Sequence, residues 1–225
     1  INEHWVMSAA HCIQVDSNYI LTFGLTESVA FGKLQKSLPL RFADKGAERR
    51  RASKVIAHPK YANPRDGTHD IALFKLESPL SFDAPLNESH IGPICLPTKP
   101  TTGLDEYANQ LATVSGFGDT EKYVSCPAHT LQKTSLYIPT VAECIAASVR
   151  ANSSFSEKQM SMLLCASGQN SCAYFGDSGG PLQLLDNATG LWTQIGIVNF
   201  FLSKSCTGYP GFYARVSSLL DWIHA

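Results

Sequence analysis

The chain has little charge, and what it has nearly cancels. Charged residues fill 16 % of its 225 positions and the formal net charge is −1, so composition carries no global bias toward nucleic acid or acidic membranes. No apolar run approaches the length of a membrane span. The first residues, Ile1-Asn2-Glu3-His4-Trp5, lack the basic start and apolar core of a signal peptide. There is no Cys-x-x-Cys pair, no His/Cys cluster at zinc spacing and no convincing calcium ligand set. No internal repeat or low-complexity tract is evident. The expectation is therefore no metal, no cofactor, no nucleic-acid partner and no membrane partner.

What is present points to a folded, oxidised chain. Hydrophobic residues make up 44 %, enough to bury a sizeable core in one large domain or two small packed ones. Seven cysteines occur beside three Asn-x-Ser/Thr sequons, at Asn87, Asn152 and Asn187. Together these favour a secretory, extracellular setting with glycosylated surface loops. An odd cysteine count leaves at least one thiol unpaired or paired outside the chain.

Short apolar runs alternate with turn residues. Strands are predicted at Ile20–Phe23, Ala52–Ala57, Ile71–Leu76, Leu111–Phe117, Thr134–Ile138 and Trp192–Phe200. Asn63-Pro64-Arg65-Asp66-Gly67 reads as a loop. Helical periodicity is confined to about Val141–Val149 and Val216–Ile223. The pattern indicates an all-β barrel or sandwich. Residues 96–103 are either a linker between two β-rich halves or an ordinary surface loop. Arg49-Arg50-Arg51, with Lys45 and Lys54, is either a solvated loop or an exosite for an acidic partner.

The chemistry concentrates at Gly176-Asp177-Ser178-Gly179-Gly180-Pro181. A serine hydroxyl needs a base to take its proton and donors to hold the oxyanion it creates. The flanking glycines let the backbone turn sharply, so the N–H groups of Gly176 and Ser178 can converge on one site.

This run resembles the nucleophile motif of the chymotrypsin-like serine proteases. Ser8-Ala9-Ala10-His11-Cys12 resembles the segment presenting the family's general base, and His69-Asp70-Ile71-Ala72-Leu73 the segment carrying its aspartate. The order His, Asp, Ser is also the family's. Pro93–Pro97, Trp192–Val198 and Pro210–Val216 resemble its inter-barrel segment, cleft strand and final approach to the C-terminal helix. The resemblance implies two packed six-stranded antiparallel β-barrels with a C-terminal helix. It implies one peptidase domain over residues 1–225, with barrels at about 1–100 and 101–225. His11, Asp70 and Ser178 would be catalytic, and Gly176 and Ser178 would form the oxyanion hole. Asp177 would receive the new amine of an activated N-terminus. His69 is given no role.

Several features depart from the family. Ile1-Asn2 is not an activation motif and lies ten residues before His11, so an N-terminal truncation is expected, leaving the chain by itself inactive or unstable. By resemblance, Cys144 pairs with Cys165 and Cys172 with Cys206. Cys12 would have its partner upstream, and Cys95 resembles the cysteine tethering a pro-region in invertebrate clip-domain proteases. Cys126 has no clear partner. The stretch from Cys172 to Gly176 is two residues longer than the family's. Counting from Cys172 places Asn170 at the base of the specificity pocket, where trypsin-like members carry aspartate. Asn199 and Phe201 stand in the cleft strand, Phe201 where glycine usually leaves the pocket open, and Gly211 is kept on the other wall. A non-basic, restricted pocket follows. The expected function is a secreted zymogen of an extracellular cascade, acting on protein or peptide substrates and open to serpin-type inhibitors. A digestive protease and a catalytically silent homologue are the alternatives.

Overall fold

The computed structural model describes residues 2–13, 20–23, 48–62, 66–82, 91–101, 103–120, 128, 130–203 and 206–225. Ile1, Lys45, Asn63–Arg65, the sequon at Asn87 and Cys126 lie outside these. The protein is mostly β, with two antiparallel sheets, few helices and a C-terminal helix.

The first sheet holds β1 (Trp5–Ser8), β2 (Ile20–Phe23), β3 (Glu48–Ala57) and β4 (Ala72–Leu76), in the order β1-β4-β3-β2. Four strands are described here, against the six implied by resemblance. Ala72, Leu73, Phe74 and Leu76 are buried, leaving Lys75 as the exposed member of β4. This near-continuous burial is what a strand covered on both faces requires. The register matters for function. Ser8 pairs with Ala72, so the residues after β1 and those before β4 leave the sheet at the same end. His11 and Asp70 are in those two segments.

The second sheet follows β5 (Leu111–Gly116), β6 (Gln132–Tyr137), α1 (Val141–Arg150), α2 (Glu157–Met160), β7 (Leu163–Ala166), β8 (Pro181–Asp186), β9 (Leu191–Phe201) and β10 (Gly211–Arg215). Its order is β6-β5-β8-β9-β10-β7. The sheet curls until its two edge strands meet, where Tyr137 and Ser167 exchange backbone hydrogen bonds of 2.9 Å. Pro181 pairs with Ile197, and Gly211 with Phe201. The start of β8, the end of β9 and the start of β10 therefore share one end of the sheet, and Ser178 lies just before that end.

Helix α1 starts where a capping box permits it. Thr140 Oγ1 accepts from the Glu143 N–H, and the Glu143 carboxylate accepts from the Thr140 N–H. A disulfide joins its Cys144 to Cys165 of β7. The predicted helix over 216–223 is split into a 3₁₀ turn, Val216–Ser218, and a short α3, Leu220–Ile223. Ser217 and Ser218 donate their hydroxyls to Glu106 and to the Arg215 carbonyl, and such local side-chain bonds compete with helix continuation. The two halves share one apolar cluster: Met7, Ile71 and Leu73 of the first pack with Ile197, Ala214, Val216, Leu219 and Leu220 of the second. Burial of that cluster fixes how the ends of the two sheets face each other.

Candidate active site

The common exit of β1 and β4 brings His11 onto Asp70. His11 Nδ1 stands 2.6 Å from Asp70 Oδ2, and the His11 backbone N–H donates to Asp70 Oδ1 at 2.8 Å. The Asp70 side chain is 1 % exposed, and among the described residues its ion-pair partner is the His11 imidazole. A buried carboxylate bonded in this way fixes the ring with Nδ1 protonated and leaves Nε2 free to accept a proton. The bond to Asp70 raises the His11 pKa above its ordinary value, the Cys12 side chain adds to this, and burial opposes it.

The segment carrying Ser178 packs against the His11 segment from the other half. Ser178 itself is exposed, and the residue after it makes the contact. A Cβ at Gly179 would collide with Ser8 Oγ and touch Ala9 N and Cys12 Sγ. Gly179 has φ +79° and donates its N–H to Val198 of β9 at 2.9 Å, so glycine is required there for the close approach. Gly176 has φ +93°. Among the described residues, neither the Gly176 nor the Ser178 N–H donates to another backbone carbonyl.

The loop carrying Ser178 separates two cavities. One, about 510 Å³, is lined by Asp177, Gly116, Gly118, Lys133, Asn170 and Thr207 among others. The Asp177 carboxylate accepts from Gly118 N (2.8 Å) and Tyr174 N (2.9 Å). Burial raises its pKa, and those two N–H groups oppose the shift. The other cavity, about 250 Å³, contains Ser178 with Asn199, Phe201 and Gly211 in its wall. Asn170, placed by counting at the base of the substrate pocket, lines the first cavity instead and accepts from Thr207 Oγ1. The longer Cys172–Gly176 stretch explains the difference. It brings Ala173, Tyr174 and Phe175 to the wall of the Ser178 cavity.

The sequence reading did not select Tyr174 or Phe175 as site residues. The available signal was two adjacent aromatics inside the lengthened loop. It also gave no role to His69, whose ring packs 4.7 Å from that of His58, itself 4.9 Å from Trp222. A disulfide joins Cys172 to Cys206, while among the described residues Cys12 and Cys95 form no disulfide. Asn152 and Asn187 are both exposed. The arginine cluster is engaged locally: Arg50 donates to the carbonyls of Pro79 and Arg49, and Arg51 lies 3.8 Å from Glu77. Among the described residues, no helix is long and apolar enough to cross a membrane.

The family model described as Trypsin matches residues 1–223. The chain belongs to the trypsin family. It is 34 % identical to serine proteinase stubble of Drosophila melanogaster, covering 99 % of this chain and 26 % of that protein. It is 30 % identical to human testisin, covering 99 % of this chain and 67 % of testisin. Ovochymase of Halocynthia roretzi is 27 % identical, with 13 % of its length spanned. The chain thus spans about a quarter or less of two of these relatives.

Proposed function

We propose that residues 1–225 form a single peptidase domain, a serine endopeptidase working through an acyl-enzyme. The observation that carries this reading is the short His11–Asp70 bond, together with the packing of Gly179, next to Ser178, against the His11 segment. Ser178 Oγ attacks the substrate carbonyl while His11 Nε2 takes its proton. The resulting oxyanion is held by the Gly176 and Ser178 N–H groups. Collapse breaks the C–N bond, and His11 returns the proton to the leaving amine. Water then repeats the sequence on the acyl-enzyme. Asp70 holds the tautomer and stabilises the imidazolium.

The wider reading is a secreted zymogen of an extracellular proteolytic cascade. Exposed sequons at Asn152 and Asn187, and two disulfides, support the secretory part. Cys95, exposed and without a disulfide among the described residues, suits a tethered pro-region, and Asp177 suits a newly formed α-amine. That amine would supply the charge that two backbone N–H groups do not. Protein substrates and serpin-type inhibitors are the partners that follow.

A second reading, a catalytically silent homologue acting as a binding protein, is favoured by the aromatic rings of Tyr174 and Phe201 stacked 5.2 Å apart beside Ser178. A serine-reactive phosphonate applied to the full-length, proteolytically activated protein separates the two. The peptidase reading expects covalent modification of Ser178, lost in Ser178→Ala and strongly slowed in His11→Ala. A folded protein whose Ser178 stays unmodified is the silent homologue.

A further inference from the structure

The turn that joins β8 to β9 carries the sequon Asn187-Ala188-Thr189. Asp186 closes that turn. Its carboxylate accepts from the Ala188 N–H at 2.9 Å and from the Thr189 hydroxyl at 2.7 Å, and its carbonyl accepts from the Gly190 N–H at 2.7 Å. An acidic side chain bonded to the backbone two residues on holds a turn in this way. None of these bonds uses the Asn187 side chain, and Asn187 is exposed.

Asn187 borders a cleft of about 600 Å³ between this hairpin and the segment 96–99. The cleft lies at the Asp186 end of β8, away from the Pro181 end that adjoins Ser178. Leu96, Tyr107, Leu184 and Leu185 give it apolar walls, and Leu185 is 41 % exposed. Lys99 and Gln110, both exposed, add polar groups. A pyranose ring has the matching chemistry, with C–H groups on its faces and hydroxyl and N-acetyl groups around its edge. Sites for small ligands combine an apolar lining with a few polar groups in the same way. The sequon at Asn152 differs. Asn152 does not line this cleft, and its N–H donates to the Val149 carbonyl at the end of α1, at 3.0 Å.

We infer that the glycan on Asn187 is seated in this cleft as a structural part of the protein. Its first two sugars cover Leu184, Leu185 and Tyr107 and bond through their edges to Lys99 and Gln110. Covering exposed apolar surface stabilises the folded state. The seated glycan straps the β8–β9 hairpin to the segment 96–99, whose Leu96 packs on the apolar cluster shared by the two halves. Attachment needs a polyprenyl-pyrophosphate-linked oligosaccharide. Asn187 Nδ2 attacks C1 of its first sugar, the pyrophosphate leaves with the bonding pair, and the amide gives up one proton. The inference rests on the secretory reading above and is independent of catalysis.

The test uses the full-length protein secreted by a eukaryotic host. Glycopeptide mass spectrometry reads the occupancy of Asn187. An endoglycosidase that cuts between the first two sugars is then applied to the native protein. Release at Asn187 is expected to be about tenfold faster in Leu185→Ser/Lys99→Ala, both exposed positions, than in the unaltered protein. Asn187→Gln, which leaves the bonds of the turn in place, should lower Tm by about 2–4 °C. Combined with Leu185→Ser/Lys99→Ala it should add little further, because the three changes remove one interaction. Equal release rates or additive Tm shifts overturn the inference. Slow release that requires high protein concentration places a second copy over the cleft and overturns it as well. A bare Asn187 in a protein whose Cys144–Cys165 disulfide has formed sinks this inference alone. A bare Asn187 with Cys144 and Cys165 recovered as thiols sinks the secretory reading with it.

Discussion

The segment of the proposed base, His11, and that of the proposed nucleophile, Ser178, differ in how far they follow their family. His11 and Asp70 sit where β1 and β4 leave one sheet together, and two short hydrogen bonds tie them. The Ser178 loop keeps its six-residue motif but is longer before it, and that excess brings an aromatic rim. Proton transfer tolerates errors of only a fraction of an ångström, so the base side has little room to vary. A substrate side chain can be recognised in many ways, so the loop before Gly176 can be rebuilt without touching the chemistry.

The largest effect should therefore come from the base side. Asp70→Asn keeps the size but removes the carboxylate that holds the His11 tautomer. We expect kcat to fall on the order of 10³- to 10⁴-fold, with KM little changed because Asp70 is buried behind the ring. The His11 titration, followed by NMR, should move down toward its ordinary value, since the Asp70 bond is the main cause of its elevation. An unmoved titration, or a loss taken up in KM, would break the contrast between the two sides.

The same contrast governs what the sequence could show. Six strands and helix α1 were legible because their apolar residues recur at strand or helix spacing and turn residues bound them. Leu163–Ala166 and Gly211–Arg215 were not predicted as strands. All their residues are buried, so no alternation marks them. Pro181–Asp186 was also missed, and it opens on a proline. In the site, residues fixed by motif were placed well enough to bring His11 and Asp70 together. Asn170 was placed by counting along the chain, and it lines the cavity of Asp177 rather than the one that contains Ser178. Phe175 meets the Phe201 ring of a strand 26 positions away in sequence, a contact invisible to local pattern.

Acid should distinguish the two sides next. His58 is buried, its Nδ1 accepts from the Lys60 N–H, and its pKa is lowered to about 4 by burial, then by His69 and Lys60. Burial and Lys60 also lower the pKa of His69, while Asp66 opposes this. Unfolded, His58 would take its proton near pH 6.5; folded, it resists until about 4. Its contribution is thus full above about 6.5 and is lost as pH falls through that window, a change of at most about 3 kcal/mol. His11 works in the opposite sense: its raised pKa gives stability present below about 6.5 that is lost as pH rises. Denaturant unfolding at pH 7 and pH 4.5 should show the acid loss, and His58→Gln should remove most of it. A slope untouched by His58→Gln would place the acid sensitivity elsewhere.

The smallest expected effect tests whether the two sides are independent at all. Asn199 of β9 donates its side-chain N–H to the Gly67 carbonyl at 2.7 Å, and both bonded groups are buried. Gly67 has φ +66°, and a Cβ there would overlap the Phe200 ring. His69 also has a positive φ, of 57°. The short loop that delivers Asp70 is thus turned twice through left-handed backbone and pinned by the sheet that carries Ser178. Asn199→Ala should leave a buried carbonyl unpaired and lower kcat about tenfold. The His11 titration should move part of the way toward its ordinary value, as in a milder Asp70→Asn. Gly67→Ala, which strains the same loop but also pushes on the Phe200 ring of the cavity wall, should lower kcat as well. If Asn199→Ala instead raises KM and leaves both kcat and the titration alone, Asn199 acts on substrate from the cavity wall and the base side stands without help from its neighbour.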